Sequence, residues 1–210
     1  IALALEMDDH ALLVSLNKKC LEIEQAIQKE QERLLKIAVA KEEIQGSKSE
    51  LHYHISMKSI PACQVLSLRR TVPTYYSEGD LWKELSAFAE KEEIEISSDT
   101  FTIYHDTEYR EQDVDMELCA PVKKAGENRE PFCFRMTEAV PAMASTMVYG
   151  EFSNIKKAYL AFAKWLQKNS NYQMSAPVRQ IVHRGPWNEN APAKYLTELQ
   201  IPVEPLQNVL

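Results

Sequence analysis

The sequence predicts an α+β protein: a long amino-terminal helix, followed by a domain of two pseudo-twofold-related strand–helix–strand–strand modules. Three observations carry this. A heptad of apolar residues runs through the first 46 residues, the apolar period switches to alternation after residue 50, and from there the chain repeats itself.

The helix comes first. Leu13, Leu16, Cys20, Ile23, Ile27, Leu34, Ile37 and Ile44 fall at spacings of three and four once Glu30 and Lys41 are counted in the same seam. Asp8 or Asp9 is placed to cap its start and Gly46 to end it. A helix from about residue 9 to 45 is about 55 Å long, at about 1.5 Å per residue. One compact domain cannot cover such a seam, so a second chain is expected to pair with it. Glu30 and Lys41 would face themselves in a parallel pair, which favours an antiparallel one. The opening "IALALEM" reads as the tail of a helix that starts before Ile1, so the chain is expected to be a fragment. "GSKSELHY" then marks the boundary between region 1–46 and domain 51–210.

The domain divides into halves 51–122 and 131–203, joined by the polar linker "KKAGENRE". "SIPACQVLSL" (59–68) matches "AVPAMASTMV" (139–148) at an offset of 80, and "ELSAFAEK" (84–91) matches "AYLAFAKW" (158–165) at 74. "TIYHD" matches "QIVHR" at 78, and "VDMELCAPV" (114–122) matches "YLTELQIPV" (195–203) at 81. The drop from 80 to 74 implies that the turn "RRTVPTYYSEGD" is about six residues longer than "YGEFSN". In the two helices, Leu81, Leu85 and Phe88, and Ile155, Tyr159, Phe162 and Leu166, form the apolar faces. Such helices pack on an antiparallel sheet.

The repeat brings equivalent residues toward one axis, so Glu117 and Glu198 are expected to share a central acidic cleft. A carboxylate in an apolar strand needs a partner, and a cation ringed by aromatic faces supplies one. The aromatic residues around this cleft are Tyr75, Tyr76, Trp82, Tyr104, Tyr149, Phe152 and Trp187, while Phe162 and Trp165 are read as core. His105 and His183 are equivalent by the repeat and close their strands. His52 and His54 alternate without a third ligand type, no cofactor is implied, and no nucleophile or phosphate-loop pattern is present.

The net charge of −7 excludes a large basic nucleic-acid footprint on this chain. There is neither a signal peptide nor an apolar run of about 20 residues, so the protein is expected in the cytoplasm. Cys20, Cys63, Cys119 and Cys133, far apart in sequence, fit reduced thiols.

Through "KSIPA", "VYGEFSNIKKAYLAFAKWL", "SAPVRQIVH" and "YLTELQIPV", residues 51–210 resemble the GyrI-like small-molecule-binding domain. Behind a long helix, this looks like the effector half of a MerR-family transcriptional regulator. The resemblance implies a homodimer through an antiparallel coiled coil, with promoter DNA and RNA polymerase contacted only through an amino-terminal domain, of which "IALALEMDD" is the end. It also implies a pocket of tyrosines, other aromatics and buried glutamates that takes bulky hydrophobic, aromatic or cationic ligands. It marks Glu198 as a pocket carboxylate and Tyr149 as a wall. Where many relatives read Glu-Ile-Tyr, this chain has Gln180, Ile181 and Val182, which removes a negative charge and points to a neutral or larger ligand. Some standalone relatives imply a hydrolase of small electrophiles using a pocket glutamate, and the gyrase inhibitor implies a protein-inhibitor module; the dimerising helix favours the regulator.

Overall fold

The computed structural model describes residues 12–20, 22, 23, 26, 30, 33, 37 and 53–206, except 107 and 176. The chain divides into two units, Ile1–Glu50 and Leu51–Leu210. In the first, every described residue is helical, and Leu13, Leu16, Ile23 and Ile37 of the heptad seam are exposed. The rest of the expected helix, its caps at Asp8 or Asp9 and Gly46, and His52 lie outside the described residues.

In the second unit the segments of alternating apolarity become strands. These are β1 (Ser56–Ile60), β2 (Gln64–Val72), β3 (Phe101–Tyr104), β4 (Val114–Pro121), β5 (Phe132–Met136), β6 (Val140–Tyr149), β7 (Tyr172–Met174), β8 (Val178–Arg184) and β9 (Leu196–Pro205). Helices α1 (Glu78–Lys91) and α2 (Ile155–Lys168) are each entered through a single 3-10 turn, Tyr75–Ser77 and Phe152–Asn154. The sheet order is β1-β6-β9-β8-β3-β4-β2-β5, with β7 paired to β9, and each of these pairings is antiparallel.

Because side chains alternate across a strand, the sheet sorts them onto two faces. On one, Leu66, Leu68, Met116 and Leu118 pack under Leu81, Leu85 and Ala89 of α1. Ala144, Val148, Leu199 and Ile201 do the same under Ala158 and Phe162 of α2. The other face bears neither α1 nor α2 and gathers Val65, Phe101, Ile103 and Cys119. The sheet is curled. β1 and β2 are separated in the order by five strands, about 29 Å if flat at about 4.8 Å per step. Residues 61–63 alone join them, and four peptide steps span at most about 14 Å. The matching linker, 137–139, joins β5 to β6, and the two linkers meet: Thr137 N donates to Cys63 O at 2.8 Å, and Cys63 N to Thr137 Oγ1 at 3.1 Å. Cys63 packs with the cluster on the face away from α1 and α2, so that face is the inside of the curl.

Two expectations change. Each half supplies its first strand to the other half: β1 pairs with β6, and β5 with β2. The inserted turn is also absent, since both 3-10 turns follow their strands after two residues, 73–74 and 150–151. The true correspondence sets Ser67 on Ser145 and Leu85 on Phe162, offsets of 78 and 77 in place of 80 and 74. Short, small-residue matches such as "AFA" had slid the alignment by about one helical turn.

Candidate functional site: an aromatic groove between two helices

The pseudo-twofold axis passes between Thr102 and Gln180, which are both equivalent by the repeat and directly paired across β3 and β8. Helices α1 and α2 cover the strands on either side, so β3 and β8 form the floor of a groove between them. Thr102, Tyr104, Gln180 and Val182 are on this face by strand alternation.

The α1 wall begins with Glu78. Its carboxylate accepts hydrogen bonds from Thr102 Oγ1 (2.6 Å), Tyr104 OH (2.8 Å) and Trp82 Nε1 (3.2 Å). The Trp82 bond spans one helical turn, the spacing at which side chains on a helix meet. Burial, and then the Glu78 charge, raise the Tyr104 pKa well above that of a free phenol. Tyr75, held by the 3-10 turn, lies 5.6 Å from the Tyr104 ring and stacks on Tyr109 at 5.9 Å. From α2, Tyr159 reaches Gln180; burial and the neighbouring Tyr75 push its pKa up to about 12, against the Gln180 hydrogen bond. Tyr159 as a residue is 36% exposed.

Glu117 and Glu198 do not converge. They lie on the face away from α1 and α2, with β3 and β8 between their strands, each inside its own cluster. Glu117, 4% exposed, accepts from Arg135 Nε (2.6 Å) and His105 Nε2 (2.9 Å). Burial alone would raise its pKa, but these bonds, with Ser67, outweigh it and hold it at about 2. Glu198, 6% exposed, contacts Ser145, Lys58 Nζ (2.7 Å), Gln200 Nε2 (3.0 Å) and His183 Nε2 (3.4 Å). Against its burial, His183, Lys58 and Ser145 hold its carboxyl well below the usual range. The cations come from the exchanged strands, Lys58 from β1 and Arg135 from β5. The expected single acidic cleft is therefore two internal ion clusters, because strand alternation turns both glutamates away from the helices.

Among the other expected residues, Tyr75, Tyr104 and Gln180 are brought together in the groove. Trp187, 62% exposed, folds over Gly185, where an added Cβ would stand 2.8 Å from the indole and 2.9 Å from Val182. Tyr76 is 94% exposed. Phe152 packs on Tyr195 at 5.2 Å. Tyr149 lies under the Arg184 guanidinium at 5.5 Å and lines a small pocket with Gly150, Glu151, Ser153, Asn154 and Ala193. The sequence reading missed Glu78, Thr102, Tyr109 and Tyr159. Correct repeat alignment was the available signal, since it sets Tyr159 on Trp82 and Ile155 on Glu78.

Among the described residues no group of three or more His, Cys, Asp or Glu is arranged to hold a metal, and no helix is long and apolar enough to cross a membrane. Cys20, Cys63, Cys119 and Cys133 are free thiols.

Tyrosines from both helix ends gathered over a few fixed polar groups are the make-up of a small-molecule-binding module. The chain belongs to the GyrI-like small molecule binding domain family, whose model matches residues 53–204. The crystal structure of the EcmrR C-terminal domain is similar at 29% identity and a TM-score of 0.68, covering 73% of this chain and 99% of that one. EcmrR in its DNA complex within EcmrR-RPo is similar at 27% identity and a TM-score of 0.69, covering 91% of this chain and 72% of that one. These matches bear out the resemblance to the effector-binding domain of a MerR-type regulator. A hydrolase from Listeria innocua, at 12% identity and a TM-score of 0.56 over 71% of this chain and 91% of that one, shares the fold. No curated protein matches the sequence.

Proposed function

We propose that residues 53–204 sense a hydrophobic, aromatic or cationic small molecule in the groove between α1 and α2, as the effector-binding part of a dimeric transcriptional regulator in the cytoplasm, and that the chain is not an enzyme. The observation that carries the ligand reading is the meeting of Tyr75, Tyr104 and Tyr159 over the Thr102–Gln180 floor. Large rings with polar tips give contact area and orientation at little entropic cost. Tyr76, Phe152 and Trp187 extend this lining at the rims, while Tyr149, on the opposite face of β6, lines a separate small pocket and stands outside the groove. Glu117, Glu198 and His183 act on the ligand only through the sheet that they brace.

Dimerisation is supported by the exposed seam residues Leu13, Leu16, Ile23 and Ile37, which one chain leaves uncovered. The similarity to EcmrR, solved in a DNA complex within EcmrR-RPo, supports a role at promoter DNA and RNA polymerase; in this reading an amino-terminal domain makes that contact. A ligand moves such a regulator only if it binds one of its DNA-bound geometries better than another.

The test is a titration with lipophilic aromatic cations and their neutral analogues, followed by the fluorescence of Trp82 in a Trp165→Phe, Trp187→Phe background. Saturable micromolar binding, weakened about tenfold by Tyr159→Ala, is expected, since a buried aromatic contact contributes about 1–2 kcal/mol. Binding indifferent to Tyr159→Ala would place the ligand elsewhere.

A further inference from the structure

We infer that the groove is electrostatically one-ended, and that Glu78 sets its preference for an elongated monocation whose charge lies at the Glu78 end and whose uncharged remainder lies toward the α2 end. This inference rests on the groove being the ligand site.

Glu117 and Glu198 are paired with cations inside the sheet. On and around α1, Asp80 pairs with Lys83, Glu84 with Arg70, Glu92 with Arg129 and Glu95 with Lys123. Glu78, half-buried, makes no ion pair among the described residues, yet three donors fix it in place. Two of them, Thr102 and Tyr104, belong to the groove floor. A fixed carboxylate with unspent charge, beside the rings of Tyr75, Tyr104 and Tyr109, combines the two attractions that hold an organic cation: Coulombic, and the negative face of an aromatic ring. The hydrogen bonds also preorganise the site, so little ordering is left for the ligand to impose.

The pseudo-symmetry shows where the charge ends. The equivalents of Glu78, Thr102 and Tyr104 at the other end are Ile155, Gln180 and Val182. That end holds no carboxylate and no hydroxyl at these positions. A dication would leave its second charge against Ile155 and Val182, desolvated and unpaired, which is strongly unfavourable. A monocation with an apolar or aromatic tail satisfies both ends.

The experiment compares three compounds by calorimetry on the whole chain: an aryl-alkyl-trimethylammonium ion, its neutral tert-butyl isostere, and the corresponding bis-quaternary ion. The wild-type protein is expected to bind the monocation at least tenfold tighter than either of the others. Glu78→Gln, which keeps the shape and an acceptor, is expected to bring the monocation down to the neutral compound while leaving the neutral compound unchanged. Ile155→Glu is expected to raise affinity for the bis-quaternary ion at least tenfold, and this gain cannot arise from misfolding. If the monocation preference survives Glu78→Gln, or Ile155→Glu brings no gain, Glu78 is not the determinant and the inference falls while the groove reading stands. If none of the compounds binds the wild-type protein, the groove reading falls and takes this inference with it.

Discussion

A carboxylate on the inner face of a curled sheet has little water to solvate it, so Glu117 persists as an ion because Arg135 and His105 face it. Its carboxyl, at about 2 in the folded chain against an ordinary 4.5, contributes about 3 kcal/mol of stability at neutral pH. Because the folded pKa is the depressed one, that stability is complete above about pH 4.5 and is lost as the pH falls toward 2. Arg135→Gln, which leaves His105 and Ser67 in place, should therefore cost part of this, about 1–3 kcal/mol in urea unfolding at pH 7, and much less at about pH 2.5. An equal cost at both pH values would show that Arg135 matters only for packing. At this scale the sequence was half legible. The repeated phrase around Glu117 and Glu198 marked two buried carboxylates, but not which face they took, since one step of register reverses the face. Their partners, Arg135 and Lys58, were hidden because they come from the opposite half. Glu78 was not legible, because an acid in the first turn of a helix is ordinarily accounted for by the helix dipole alone.

The elements were more legible than the connections between them. Apolar spacing placed both helix faces: Leu81 and Leu85 are buried in α1, and Phe162 in α2. The four matched pairs of blocks fall on strands or helices in the expected order, with 59–68 split by the linker 61–63 between β1 and β2. What failed was the extra length expected of the turn between β2 and α1, which is as short as the turn between β6 and α2; in the latter a glycine explains the shape. Gly150 has φ +89°, a region that disfavours any side chain, and an added Cβ would stand 2.8 Å from Asn154 Nδ2. That amide donates to Tyr149 O at 3.0 Å and holds the start of α2 against the end of β6. Gly150→Ala should accordingly cost about 1–3 kcal/mol. Gly79, in the first turn of α1 with nothing within 4 Å of an added Cβ, is the internal control. Gly79→Ala should be neutral or stabilising by up to about 1 kcal/mol. Thermal melts of the two variants check this, and equal melting temperatures would show that the turn relaxes without strain.

At the scale of the whole domain, the exchange of first strands makes the two halves one body. β1 pairs with β6 and β5 with β2, so each half completes the sheet of the other, and β3 with β8 joins them a third time. The ion clusters repeat the lock, since Lys58 and Arg135 neutralise glutamates across the same boundary. No sequence period could reveal this, because a repeat fixes what each half contains and leaves open which half an edge strand joins. The linker 123–130 bears none of these strand pairings and is largely exposed, with Lys124 a site for limited trypsin cleavage. A chain cut there should stay assembled: its halves should co-elute in size-exclusion chromatography, keep their near-ultraviolet circular dichroism and part only in denaturant. Residues 51–122 produced alone should lack that signal, since without β8 and β5 both the β3 edge and the β2 edge are open. Halves that separate under native conditions after the cut would mean that the linker, rather than the exchanged strands, holds the groove-bearing sheet together.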